Sequence, residues 1–242
     1  TLDINILHKG LDEVVARHEG LRTTFSTVDG QPMQVIHPSV KTSVTRIDLQ
    51  ELPESEREAR AEQHLRDEAS HRFILSQAPL IRATVLQLEP DHHLMMVTTP
   101  HIICDGWSAG IIIRELAAFY EANAKGVSPA LPPLTIQYAD FAHWQANSLK
   151  GDAFQEELAY WKEQLQGRLP LFDLPADKPV PSRLVSRGDT ETLSLAPDLV
   201  AKIKEICRRE EVTMFMFFLA VFKAMLHRYT GQEDILVGSP VA

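Results

Sequence analysis

Two β-rich runs, PLIRATVLQLEP (residues 79–90) and DHHLMMVTTPHI (residues 91–102), stand back to back in the sequence, joined at Glu-Pro-Asp. Extended backbone needs a neighbour for its N–H and C=O groups, and so short a joint makes each run the other's neighbour as a hairpin-like pair. Cys-Asp-Gly (residues 104–106) follows after Ile103, and then a helix is expected over residues 108–124. Ser108 is placed to cap its start and Gly126 its end. A chain holding this unit must be built from mixed strands and helices, with the turn after the second strand at the mouth of a sheet.

The flanking sequence fits that class. Leu7, Leu11, Val14 and Val15 share one face of a helix expected over residues 4–18. Thr23 to Phe25 open an extended segment, Asp29-Gly30 mark a turn, and residues 33–36 form a short strand. Mixed acids and bases predict a solvated helix over residues 54–72. Two further helical stretches are expected around residues 138–148 and 154–167. Then LPADKPVPSRLVSRGD (residues 174–189) sets three prolines close together, which forbids regular structure and gives a semi-stiff connector. Beyond it lie a strand (residues 190–195), an amphipathic helix (198–210), a nearly all-apolar helix (213–229) and a final strand. The organisation read from this is α/β, an α+β sandwich: a near-complete first lobe over residues 1–173, a linker over 174–189, and the beginning of a second lobe over 190–242.

A net charge of −9, with no basic patch to offset phosphate, argues against a nucleic-acid partner. The two cysteines, Cys104 and Cys207, lie far apart without a CxxC or His-Cys companion, which argues against a disulfide framework and a structural zinc site and fits a reducing, cytoplasmic setting. The apolar run MFMFFLAVF (residues 214–222) falls well short of the ~20 residues a membrane span needs, so no membrane role is expected. No signal peptide opens the sequence, which leads into a helix without a start methionine and stops inside an expected strand and its loop; a fragment of a longer chain is expected.

His101 is the candidate for chemistry. A neutral imidazole at the end of a strand can take a proton from an attacking amine or hydroxyl, and the Gly106 amide, near a helix N-terminus, can face a developing oxyanion. The spacing HxxxDG is weak alone, because a lone histidine is more often structural and Asp-Gly is common turn chemistry. His92-His93 read as a solvated loop tip, and Cys104, with no basic neighbour to form a thiolate, as filler.

Five segments in order change this: RHEGLRTTF (17–25), HIICDGWS (101–108), YADFAHW (138–144), LPADKPVP (174–181) and HRYTGQEDILVGSPVA (227–242). Together, over essentially the whole chain, they resemble the condensation domains of nonribosomal peptide synthetases. The resemblance implies two chloramphenicol-acetyltransferase-like lobes in a V, with the active site in a tunnel between them. It implies amide-bond formation, in which the amine of an acceptor aminoacyl thioester attacks a donor acyl thioester. Each substrate is carried on the phosphopantetheine arm of a carrier domain, so the expected partners are carrier and adenylation domains, with no metal and no directly bound cofactor.

The family motif is HHxxxDG. His101 matches its second histidine, credited as base or as positioner of the amine, with Gly106 beside it as a residue kept small for substrate approach. Asp105 is implied to be structural, paired with an arginine of the first segment, for which Arg22 is the choice. Trp107 and Ser108 are expected to anchor the loop and cap the helix, and Tyr138, Phe141 and Trp144 to pack. Two departures stand out. Pro100 occupies the place of the first histidine, removing an amide hydrogen just before His101. The family's opening motif and most of its second lobe are also missing, which should leave Phe215, Phe218 and Phe222 exposed and the isolated fragment inactive. Epimerization domains share the histidine but depart from DGWS, which itself leans toward L-to-L condensation, and heterocyclization domains replace the histidine motif with paired aspartates. A free-standing acyltransferase and a noncatalytic carrier-docking relic complete the alternatives.

Overall fold

The computed structural model describes residues 2–167, 174 and 191–239; the expected linker lies, apart from Leu174, outside them. The chain divides into two compact units, Thr1–Gln155 and Glu156–Ala242.

In the first unit, α1 (Ile4–Arg17) starts where the Asp3 carboxylate accepts from the Asn5 and Ile6 amides at 2.8 and 3.1 Å. Its expected apolar face is buried: Leu7, Leu11, Val14 and Val15 are each 5% exposed or less. A short 3-10 turn (Glu19–Arg22) leads into β1 (Thr23–Val28), which pairs antiparallel with β2 (Gln31–Ile36). Asp29 and Gly30 join them with φ of 50° and 78°, the positive values that a two-residue hairpin turn demands. Next come β3 (Val44–Asp48), α2 (Glu54–Ser70), β4 (Arg82–Gln87), β5 (His93–Thr98), α3 (Gly106–Lys125) and α4 (Tyr138–Ser148).

The strands β3, β4 and β5 form one sheet, β4 in the middle, parallel to β3 and antiparallel to β5. The expected hairpin is therefore present, with Arg82 opposite Thr98 and Gln87 opposite His93. β4 is covered on both faces. Ala83 and Val85, with Ile81, join Leu7, Leu11, Val14 and Val15 of α1 and Ile112, Leu116 and Phe119 of α3. Leu86 and Leu88 meet Leu49 and Ala61, the latter on α2. The apolar residues of β4, Ala83, Val85 and Leu86, are all buried, as a strand covered on both faces requires.

The axes of α1 and α3 approach closely at Gly10. A Cβ there would meet Leu116 Cδ1 at 3.3 Å and Phe119 Cβ at 3.4 Å. This glycine serves packing, where a side chain would push the helices apart.

α5 (Asp152–Gln164) crosses the division between the units. In the second unit, α6 (Pro197–Arg209) and α7 (Met214–Thr230) meet at a bend of 104°, and Ile203, Cys207, Leu226 and Ile235 are buried there. Phe215, Phe218 and Phe222 of α7 are 60%, 41% and 44% exposed. Among the described residues, no single helix is long and apolar enough to cross a membrane.

Two expectations are corrected and one element is added. Residues 191–196 and 232–239 hold no strand, because no neighbouring strand among the described residues receives their backbone groups. β3 is a strand the sequence did not disclose; its short VTRID carries two charges and gains its place by pairing with β4. The aromatic side chains of YADFAHW are not core. Tyr138, Phe141 and Trp144 stack on one another at 5.9 and 5.7 Å between ring centres along an open face of α4.

Leu11 is 1% exposed and Leu193 is 84% exposed, so truncating each to alanine separates burial from composition. Leu11→Ala should lower the unfolding free energy of the first unit by about 2–5 kcal/mol. Leu193→Ala should change stability by less than about 0.5 kcal/mol. Urea unfolding followed by circular dichroism checks both.

Candidate active site

β5 ends at Thr98, and the backbone turns at once: the Ile103 amide donates to the Pro100 carbonyl at 3.1 Å. His101 and Ile102 form the exposed tip of this turn. Behind them Ile103 and Cys104 pack against the core of α1, α3 and β4, pinning the turn from below. Proline at position 100 costs the sheet no ladder bond, because the ladder has ended two residues earlier.

The far end of the loop is fixed by Asp105. Its backbone is extended (φ −114°, ψ −177°), and its Oδ1 accepts from the Ser108 amide at 2.8 Å and the Ser108 hydroxyl at 2.6 Å. Asp105 is therefore the N-cap, and α3 starts two residues before the expected position. Ser108 contributes as donor to that cap rather than as the cap itself. These bonds hold the Asp105 carboxyl below its ordinary value of 3.8, the Ser108 hydroxyl first, its amide next, and the charge of a protonated His101 in the same direction. Gly126 closes the other end of α3 at φ 66°, as expected.

Gly106 is the first residue of α3, and a Cβ on it would meet nothing within 4 Å. Its amide belongs to the group at a helix start that has no intrahelical acceptor, so it is chemically suited to an incoming anion. Trp107, expected to anchor the loop, instead points to solvent at 76% exposure, because the first turn of α3 turns this position away from the core.

The expected Arg22–Asp105 pair is not formed. Arg22 donates to the His37 carbonyl and, at 3.2 Å, to Glu19 Oε1, which ties the 3-10 turn to the end of β2. The cap of α3 already occupies Asp105 Oδ1, and Arg22 finds acceptors nearer to it in sequence.

The structure adds a polar cluster that sequence reasoning missed. Glu115, 9% exposed in the middle of α3, accepts from Arg17 Nε at 3.2 Å and lies 2.6 Å from His18 Nε2. Arg17 also donates to the Pro132 carbonyl. Gln137 donates to the Arg17 carbonyl at 3.0 Å and accepts from the Glu19 amide at 3.1 Å. A signal for it exists in the sequence: Glu115 stands on the same stripe of α3 as Ile112, Leu116, Phe119 and Ala122, where a carboxylate requires a partner. Among the described residues, no group of three or more His, Cys, Asp or Glu converges as metal ligands would.

Ser108→Ala should raise the Asp105 pKa while leaving it below 3.8, because the amide bond survives. The stability that the Asp105 carboxylate lends to α3 is in place above that ordinary value and is lost as pH falls through the lowered one. An NMR titration of the carboxyl carbon reads the shift directly; an unmoved midpoint would remove the Ser108 hydroxyl as its cause.

Residues 1–242 match the family model described as Condensation domain. A linear gramicidin synthase chain of Brevibacillus parabrevis is 46% identical over 241 residues, covering 100% of this chain and 5% of that protein. Phosphinothricin tripeptide synthetase PhsC of Streptomyces viridochromogenes is 39% identical over 232 residues, covering 96% of this chain and 21% of that one. Among solved structures, the X-domain from teicoplanin biosynthesis superposes with a TM-score of 0.81 at 29% identity, over 95% of this chain and 50% of its own. The chain thus spans a small part of its curated relatives and half of this structural one.

Proposed function

This chain belongs to the condensation-domain family, with its chloramphenicol-acetyltransferase-like α/β fold, and we propose that it carries the reacting histidine of an amide-forming site in a nonribosomal peptide synthetase. The observation behind this reading is the exposed position of His101 on a turn whose two ends are fixed, one by the core and one by the Asp105 cap. In such a place an imidazole meets a substrate without the loop having to be ordered first.

The substrates are two thioesters, each on the phosphopantetheine arm of a carrier domain, with an adenylation domain supplying the acceptor amino acid. The acceptor amine attacks the donor carbonyl, forming the C–N bond. Collapse of the resulting oxyanion breaks the C–S bond and releases the donor arm as a thiol. His101 orients the amine, takes the proton it loses and passes it to the departing sulfur, and the Gly106 amide faces the oxyanion. Asp105 and Ser108 hold this geometry from behind, Arg22 ties the neighbouring 3-10 turn to the end of β2, and Trp107 offers an exposed aromatic face on the first turn of α3. Residues 1–173 make up the lobe bearing the site and residues 190–242 open the second lobe. The reaction is assigned to the intact cytoplasmic parent, not to these 242 residues alone.

A second reading, a carrier-docking module without turnover, is favoured by one observation: proline stands at position 100 where the family resemblance calls for a histidine. The two readings separate in the full synthetase. His101→Ala should lower the rate of peptide formation by about 10²- to 10⁴-fold and leave carrier binding unchanged, as read by product mass spectrometry and calorimetry. Undiminished turnover would transfer the function to docking. Pro100→His should leave the fold intact, since the Pro100 carbonyl that closes the turn is retained, and should preserve or raise turnover. A large fall in single-turnover rate would show that proline is required there.

A further inference from the structure

The cluster at the end of α1 reaches the site loop through one short segment. The 3-10 turn Glu19–Arg22 is held at its start by the His18–Glu115 contact of 2.6 Å and by the Gln137 side chain on the Glu19 amide. Thr23 Oγ1 donates to the Glu19 carbonyl at 2.7 Å and Arg22 to the His37 carbonyl, so the far end is held as well. Between these ties lies Gly20, and a Cβ on it would stand 3.9 Å from the Ile103 carbonyl. Ile103 is the residue whose amide closes the turn bearing His101. The 3-10 turn therefore lies directly behind the site loop.

We propose that His18, held by Glu115, is a positioning residue: it keeps the 3-10 turn in place beside the Ile103 carbonyl and so steadies the turn that presents His101. This deepens the reading of His101 as the reacting histidine and rests on it for its kinetic consequence alone. The side chains of His18 and Glu115 are 23% and 12% exposed, so little water competes for the contact. Glu115 has a second partner in Arg17, which matters for the test. Removing His18 leaves the buried carboxylate paired, so the helices stay together while the clamp on the turn is lost.

Hydrogen exchange on the chain decides the matter without any assay of turnover. His18→Ala should speed amide exchange over residues 99–108 by about tenfold, a local opening cost lower by about 1.4 kcal/mol, with α1 and β4 exchanging as before. His18→Gln, which restores a donor toward Glu115, should recover most of the protection. Unchanged exchange at 99–108, or an equal rise across α1 and β4, would overturn the proposal in favour of a merely structural contact. Should His18→Ala fail to fold, His18→Gln and Glu115→Gln decide by the same comparison of 99–108 with α1 and β4. In the full synthetase, His18→Ala should lower kcat with KM for both carrier-bound substrates unchanged. A protected loop with normal kcat refutes the clamp, whereas a loosened loop with unaltered kcat preserves the clamp and counts against His101 as the reacting group.

Discussion

The close approach of α1 to α3 is the constraint on which the first unit depends. Gly10 lets the two helix backbones meet, and Leu7, Leu11, Val14 and Val15 then seal against Ile112, Leu116 and Phe119. Beside that seam the same two helices are joined by the Arg17–Glu115 ion pair, with the His18 ring 2.6 Å from the same carboxylate. Apolar burial supplies most of the free energy, being non-directional and proportional to area. The ion cluster adds direction, because a nearly buried carboxylate tolerates few arrangements of its partners. Together they fix where the N-terminus of α3 lies, and that N-terminus carries the site.

The site is built by joining two kinds of end. β5 stops at Thr98 and α3 begins at Gly106, and seven residues, 99–105, must satisfy the backbone groups both elements leave open. Pro100 suits the first task, since its missing amide hydrogen falls where the ladder has ended. Asp105 performs the second by accepting from Ser108, and the same bonds that cap the helix hold its carboxyl below its ordinary value. His101 is left on the outside of the turn, the one position in it with an imidazole facing solvent and a pinned backbone below.

Much of this was legible because it depends on neighbours in sequence. The helix at residues 4–18, the turn at Asp29-Gly30, the hairpin of β4 with β5 and the αL cap at Gly126 each follow from local periodicity or local backbone freedom. What failed were features whose partners lie far away. β3 became a strand only through its parallel pairing with β4, across the whole of α2. The stretches at 191–196 and 232–239 had strand-like composition and no strand beside them. Arg22 was matched to Asp105 by motif, but the fold offered it His37 and Glu19, while Asp105 found a closer donor in Ser108 three residues on.

The sequence by itself determined the α/β class, the family and the histidine on which the proposed chemistry turns, since five ordered segments and the alternation of strand and helix patterns are properties of the chain as written. Tertiary structure alone decided which distant groups lie together: Glu115 with His18, and Gly20 beside Ile103. The physical reason is range. Periodicity and capping act within a few residues and are written locally, whereas a part-buried contact between residues 18 and 115 exists only after the hydrophobic faces have brought the two helices together.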